Sequence, residues 1–303
     1  MTGAGAGVAV VGSANRDIVF AVERIPRPGE TILATSTAKF AGGKGLNQAV
    51  AAARAGSATT FIGAIGWDED GDALAQAIDD DAISGELVRR TDEPTGQAVV
   101  VVDVVGENTI IVASGANGSF GPLTAADRAA IGGARVLLMQ LELPLERVSE
   151  AAAAARSRGT TVMLNAAPAS ALPRELLGSI DYLVVNEHEA CQIGGSDRLD
   201  VAVAALASRV GRVVVTLGSD GAVLYDAGVE IARVAAPRVT AVDTTGAGDT
   251  FCGAFAAAIA SGRDYVGAAR FATTAAALSV QSIGAVPSIP FRAAIDAATE
   301  EVR

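Results

Sequence analysis

The chain has 303 residues, half of them apolar, and a net charge of −11 from 23 basic and 34 acidic side chains. That length buries a sizeable core, as one large α/β domain or two smaller ones. The acidic balance argues against nucleic acid as the main partner, because phosphate backbones need basic patches; small anionic ligands stay open, since they answer to local fields.

In chain order, Met1–Ala14 lacks the basic region of a signal peptide and is too short to span a membrane. Val8–Gly12 reads as a buried first strand, and Ser13–Asp17 as a polar turn. Ile18–Val22 and Thr31–Phe40 read as strands around the turn Pro26-Arg27-Pro28-Gly29. Asn47–Ala55 predicts a helix, Thr59–Ile65 a strand, and Asp72–Asp80 an amphipathic helix. Gln97–Val105 and Asn108–Ala113 predict a hairpin around Gly106-Glu107.

The alternation then becomes regular. Strands are expected at Val136–Leu141, Thr161–Asn165, Tyr182–Asn186, Val213–Leu217 and Ala222–Tyr225. Helices are expected at Leu145–Arg158, from about Glu187, at Val201–Val210, Thr250–Ser261 and Val266–Gln281. This pattern predicts a parallel sheet covered on both faces. The β-rich segments at about 17–40 and 96–113 break the rhythm and predict a small accessory sheet closing over a site at the strands' carboxyl ends. The expectation is one domain, 1–303, with a lid. No apolar run suits a transmembrane helix. Cys191 and Cys252 are too few for a disulfide framework, so a reducing cytoplasm is expected.

Ala241-Val242-Asp243-Thr244-Thr245-Gly246-Ala247-Gly248-Asp249-Thr250-Phe251 is the most informative segment. A loop of small residues opens an alanine-rich helix, where free N–H groups and the helix dipole favour an anion. Asp249 stands inside that turn. It either caps the helix or removes a proton from a hydroxyl nucleophile. Ala41-Gly42-Gly43-Lys44-Gly45-Leu46-Asn47-Gln48-Ala49 is a second glycine cluster opening a helix, with Lys44 and Asn47 as donors. It is not a Walker A loop, because Gly45 stands where Ser or Thr should follow Gly-Lys.

Asn15 and Asp17 follow the first strand, where α/β proteins place ligands; the plain alternative is an Asx-turn. Asp17 in that place can accept sugar hydroxyls. Glu142 ends another strand and is otherwise a helix-start charge. Asn186 and Glu189 suit water-mediated Mg²⁺ coordination, or form an ordinary helix start. His188 is the only histidine, so a zinc site is not expected and a structural role is. Thr216-Leu217-Gly218-Ser219-Asp220-Gly221 lines a nucleotide or makes a hairpin turn. Gly3-Ala4-Gly5-Ala6-Gly7 precedes the first strand, whereas a Rossmann fingerprint follows it, so a dinucleotide oxidoreductase is disfavoured.

Together these motifs resemble the ribokinase/PfkB carbohydrate kinase family, over nearly the whole chain from Gly12–Asp17 to Gly284–Ser288. Its two signatures are similar to Gly42–Gln48 and Asp243–Thr250. The resemblance implies a ribokinase-like three-layer α/β/α sandwich with a small β-sheet lid. It implies ATP-dependent phosphorylation of D-ribose at O5, with Asp249 as general base and the N–H groups of Gly246, Ala247 and Gly248 as anion hole. Asn15, Asp17, Gly43, Lys44, Asn47 and Glu142 are then the sugar's residues. Asn186, Thr216, Gly218, Ser219, Gly221, Gly248 and Thr273 are those for ATP. Mg²⁺ lies near Asn186 and Glu189 through water. K⁺ lies near Asp243, Thr245, Ser279, Ser282, Gly284 and Ser288. A homodimer through the lid is expected, because bare strand edges pair.

Three positions depart from the commonest family pattern. Leu46 stands in place of Ala, Arg16 in place of a small or apolar residue, and Thr273 in place of Asn or His. The alternatives are a kinase of the same fold for a nucleoside such as adenosine, for deoxyribose or for a hexose, and a non-catalytic sugar-binding regulator. The intact Asp249 and Gly246–Gly248 turn stand against the regulator.

Overall fold

The structure, a computed structural model, describes residues 7–301. The Gly3–Ala6 part of the leading glycine–alanine run lies outside the described residues. The chain opens with strands β1 (Val8–Val11), β2 (Asn15–Ala21) and β3 (Ser36–Gly42), then helix α1 (Lys44–Arg54). Next come β4 (Thr59–Gly66), α2 (Glu69–Asp80), β5 (Ser84–Thr91), β6 (Gly96–Val102), β7 (Asn108–Ala113), α3 (Ala125–Gly133) and β8 (Val136–Met139). They are followed by α4 (Leu145–Arg156), β9 (Thr161–Asn165), α5 (Arg174–Leu177), β10 (Tyr182–Asn186), α6 (Glu187–Gly194) and α7 (Leu199–Ala207). After β11 (Arg212–Thr216), β12 (Ala222–Asp226) and β13 (Val229–Val234), the rest is helical: α8 (Ala247–Ala260), α9 (Tyr265–Ser279), α10 (Ala285–Ser288) and α11 (Arg292–Glu301).

The large sheet runs β13-β12-β11-β10-β9-β8-β1-β4-β5, and a smaller sheet runs β3-β2-β6-β7. Strand alternation splits β1 between two cores. Val8 and Val10 pack with Leu46, Val50, Phe251, Phe255 and Phe271 of α1, α8 and α9. Ala9 and Val11 pack with Ile131, Val148 and Leu206 of α3, α4 and α7 on the other side. The result is three layers, helices over both faces of the sheet.

The sheet is mixed rather than parallel throughout, as the sequence had suggested. β12 and β13 join antiparallel at one edge. The link from Thr216 to Ala222 is one short 3₁₀ turn, far too short for the crossover that a parallel neighbour needs. Asn15 and Asp17, expected in a turn, lie in β2. β3 starts at Ser36 rather than Thr31, where Ala21 finds its cross-strand partner. β5, β13, α3, α5 and α11 carry weak patterns and were not anticipated. β5 is an edge strand with Arg89 and Arg90 in it, which hides its apolar face from a periodicity reading.

Helix α8 is apolar nearly all round and buried along its length. Gly253 lets it approach α1: a Cβ there would stand 2.3 Å from the Gln48 carbonyl oxygen. That close packing brings one turn of α8 against the side chains of the first turns of α1.

Candidate active site

The two glycine clusters meet at the carboxyl ends of the parallel strands. Gly43 precedes α1 with φ 88°, and a Cβ on it would stand 2.7 Å from the Asn15 nitrogen. Only glycine suits both conditions. From α1, Asn47 Nδ2 donates to Asp249 Oδ2 at 3.0 Å and Gln48 Nε2 donates to Asp249 Oδ1 at 2.8 Å. Gln48 also donates to Asn165 Oδ1 at 3.1 Å and accepts from Gln140 Nε2 at 2.6 Å. Asp249 is 8% exposed. Its carboxylate is held by two amides and keeps lone pairs for a hydroxyl donor.

Asp249 is not the helix cap. The N-cap of α8 is Gly246, in the left-handed region with φ 76°, and no side chain caps that helix. The N–H of Ala247 donates to the Thr244 carbonyl at 3.2 Å. The first helical bond runs from the Thr250 N–H to the Gly246 carbonyl, so Gly248 and Asp249 present first-turn N–H groups without intrahelical acceptors. A cavity of about 160 Å³ opens before this turn, lined by Lys44, Asn186, Glu189, Thr216, Gly246, Gly248 and Asp249 among others. The Asp249 carboxylate holds the Lys44 ammonium above its usual range, against the effect of burial. Burial raises the Glu189 carboxyl, although the Asn186 N–H bonds to it. Asn186 and Glu189 form a reciprocal capping box on α6, each side chain accepting the other's N–H at 2.8 Å. The plain helix-start reading is therefore realised, and both residues still face the cavity.

A second cavity, of about 410 Å³, is lined by Asn15, Asn117, Glu142 and Pro168 among others. Asn15 Oδ1 accepts from Asn117 Nδ2 at 2.8 Å, and Asn117 also clasps the Ala14 backbone through two bonds of 3.0 Å. Glu142 Oε2 accepts from Ser13 Oγ at 2.5 Å and from the Lys44 N–H at 3.2 Å, so it meets the start of α1 rather than that of α4. Asp17 lies over Gly42, where a Cβ would stand 2.1 Å from its Oδ2. Burial, then the nearby Glu142 and Asp249 carboxylates, push Asp17 up to about 7.

The Asp17 shift gives a pH prediction. A sugar hydroxyl donates to the carboxylate form, so the KM for sugar should fall as pH rises through about 7. Asp17→Asn should flatten that dependence while raising KM throughout. Steady-state kinetics across this pH window check it, and an unchanged slope in the variant refutes it. For the unliganded fold the sign is opposite. A raised carboxyl contributes stability that is full below its unfolded value of 3.8 and is lost as pH rises through about 7.

The remaining candidates divide. Gly218 and Ser219 are exposed in the 3₁₀ turn after β11, and Gly221, with φ 94°, packs against the Val234 carbonyl. Thr273 is buried inside α9 with an unpartnered hydroxyl and does not line the cavity at Asp249. Asp243 accepts from the N–H groups of Thr245 at 2.9 Å and Gly284 at 2.8 Å. Burial raises its carboxyl, but these bonds outweigh that and keep it below the usual range. Ser279 and Ser288 spend their hydroxyls on helical carbonyls, and Ser282 is exposed. His188 is exposed on the first turn of α6 rather than packed in the core. Sequence reasoning gave no role to Ser13, Gln48, Asn117, Gln140 or Asn165. Gln140 directly follows buried β8 and Asn165 ends buried β9, and both could have been found from that; Asn117 carried no local signal.

The pfkB family carbohydrate kinase model matches residues 6–292. The chain belongs to the pfkB family of carbohydrate kinases. It is 40% identical to a ribokinase of Arabidopsis thaliana over 299 residues, 94% of this chain and 79% of that protein. It is 37% identical to a ribokinase of Bacillus subtilis over 286 residues, 94% of this chain and 96% of the relative. Among solved structures, Arabidopsis thaliana ribokinase complexed with ribose and ATP superposes with a TM-score of 0.90 at 37% identity, covering 97% of this chain and 98% of that one.

Proposed function

We propose that this chain is an ATP-dependent ribokinase, transferring the γ-phosphoryl group of ATP to O5 of D-ribose. The observation that carries this reading is the buried Asp249. It is held by Asn47 and Gln48 at the anion-friendly start of α8, where it lines the cavity that Lys44, Asn186 and Glu189 share. Asn15, Asp17, Gly43, Lys44, Asn47 and Glu142 hold the sugar. Asp249 takes the proton from its primary hydroxyl as that oxygen attacks phosphorus. The Gly246–Gly248 turn receives the developing charge, chiefly at the Gly248 N–H, since that of Ala247 is engaged by the Thr244 carbonyl. Catalysis here is positioning plus electrostatic stabilisation. Likeness to a ribokinase solved with ribose and ATP supports the pairing of substrates.

ATP extends past Asn186, Thr216 and the Gly218–Gly221 turn, with Thr273 beyond. Among the described residues no three His, Cys, Asp or Glu side chains gather into a metal cage. Asn186 and Glu189 therefore suit Mg²⁺ only through waters and phosphate oxygens, which that ion accepts. When bound, it neutralises phosphate charge. K⁺ fits the ionised Asp243 and the carbonyls around Thr245 and Gly284 better than the Ser279 and Ser288 hydroxyls, which are already engaged.

The whole chain works as one domain whose smaller sheet is the lid. Every residue of β7 is exposed, with Ile111 at 66%, which supports a homodimer through the lid. Unpaired Cys191 and Cys252 suit a reducing cytoplasm.

The test is ADP release with D-ribose, 2-deoxyribose, fructose and adenosine, with and without Mg²⁺, in K⁺ and in Na⁺, alongside sedimentation of the same samples. Preference for ribose, dependence on Mg²⁺, faster turnover in K⁺ and a dimer mass are expected. A preference for adenosine overturns the substrate. Equal rates in both salts overturn the K⁺ site, and a monomer overturns the lid interface. Ribose binding without turnover with any acceptor makes the chain a regulator.

A further inference from the structure

Arg16, one of the three departures from the family pattern, points away from the sugar. In β2 alternate side chains face opposite ways, so Asn15 and Asp17 share one face of the smaller sheet and Arg16 lies on the other. The register places Arg16 beside Gln97 on β6 and two pairs away from Lys39, the partner of Ile18, on β3, all on the same face. All three converge on one carboxylate of the large domain, Asp70 in the first turn of α2. Gln97 Nε2 donates to Asp70 Oδ2 at 2.9 Å, Lys39 Nζ donates to Oδ1 at 3.3 Å, and Arg16 Nε stands 3.5 Å from Oδ1. The Arg16 and Asp70 side chains are only 19% and 16% exposed. Two residues earlier, the α2 N-cap Asp68 accepts from the Thr95 N–H at 2.8 Å and from its hydroxyl at 2.6 Å, immediately before β6.

We propose that Asp70 is a positioning residue: a pin that fixes the back of the lid through Arg16, Lys39 and Gln97, and so sets Asn15 and Asp17 on its front face over the sugar. One carboxylate ties three of the four lid strands to the large domain. Arg16 is next to Asn15 and Asp17 in β2, and Gln97 and Lys39 pair with Arg16 and Ile18 of the same strand, so a small rotation of the sheet at the pin moves Asp17 with it. Arg16 has no other ion-pair partner among the described residues, and its Nε is buried without a hydrogen bond of good geometry. Without Asp70 this cation stays half-buried and uncompensated, which loosens the lid rather than leaving it in place. The pin touches neither the anion-friendly turn of α8 nor the cavity before it. Sugar and nucleotide should therefore respond differently to its loss.

This inference rests on the assignment of Asn15 and Asp17 to the sugar, and its test has a readout that does not. Asp70→Asn and Arg16→Met, singly and together, are compared with the parent. The readouts are sugar KM, ATP KM and amide hydrogen exchange of β2, β3, β6 and β7. Each single variant should raise sugar KM about tenfold, because small displacements of positioning groups carry large kinetic effects, with ATP KM unchanged. The double variant should be no worse than the worse single one, because both remove the same contact. Lid amides should exchange faster in all three variants while those of β8–β11 do not. Lid exchange unchanged from the parent overturns the pin, whatever the substrate. So does an equal rise in both KM values, or multiplication of the two single effects. Faster lid exchange in a protein whose parent binds no sugar keeps the pin and overturns the sugar assignment instead. Asp70→Glu, which keeps the charge, should recover most of the sugar KM. Failure to recover it, with the fold intact, also counts against the pin.

Discussion

Asp249→Asn should lower kcat by roughly a thousandfold while leaving the Kd for ribose within a few-fold of the parent. The carboxylate receives two amide donors, Asn47 Nδ2 and Gln48 Nε2, and in the proposed reaction a third proton from the sugar hydroxyl. An amide at this position keeps one oxygen but cannot take that proton. It also points an NH₂ at one of the two existing donors. That clash leaves a buried donor unsatisfied, at a cost of about 1–3 kcal/mol, so a lower Tm should accompany the lost rate. The network limits the damage, because Gln48 stays anchored by Gln140 and Asn165. Rapid-quench turnover and calorimetric ribose binding check this. A variant that keeps a tenth or more of its turnover removes Asp249 from the base role.

Gly248→Val should lower kcat/KM for ATP by about a hundredfold or more with no loss of Tm. Removing charge stabilisation at such a site typically costs ~10²–10³ in rate. Gly248 is the second residue of α8 in ordinary helical conformation, and a Cβ on it meets no atom within 4 Å. It lines the cavity in front of Asp249, so the added methyl groups stand where the transferring phosphoryl group must sit. Gly246→Ala is the contrast. That residue has φ 76° and its Cβ would stand 2.9 Å from the Ala285 Cβ, so Tm should fall along with rate. A Gly248→Val enzyme with parental kcat/KM for ATP would place the phosphate elsewhere.

The residues that carried meaning in the sequence were those whose local chemistry is unusual for where they stand. Glycine at 43 and 246 announces a positive φ or a close backbone approach, and an acid in a run of Gly and Ala announces Asp249. The continuous apolar run of β1 and the helical runs of α4, α8 and α9 made the layered α/β class legible, because a strand buried on both faces is apolar at every position. The same reading failed at β5 and β13. Edge strands bury one side at most and carry charge, so their pattern is diluted. It also made the sheet parallel throughout, although the four residues between the strands expected at Val213–Leu217 and Ala222–Tyr225 leave room only for a hairpin.

The sequence by itself determined the fold class, the two glycine-opened helices and most of the candidate side chains, since each rests on local conformation or short-range pattern. Only the tertiary structure decided which of them meet. Asp249 and Gln48 are 201 positions apart and are joined because Gly253 lets α8 press against α1. Asn117 comes to Asn15 from 102 positions away. Arg16, which looked like a flaw in the sugar turn, belongs to the opposite face of a strand and answers to Asp70. Such pairings are set by packing distance between elements, a quantity with no signature in the order of residues along the chain.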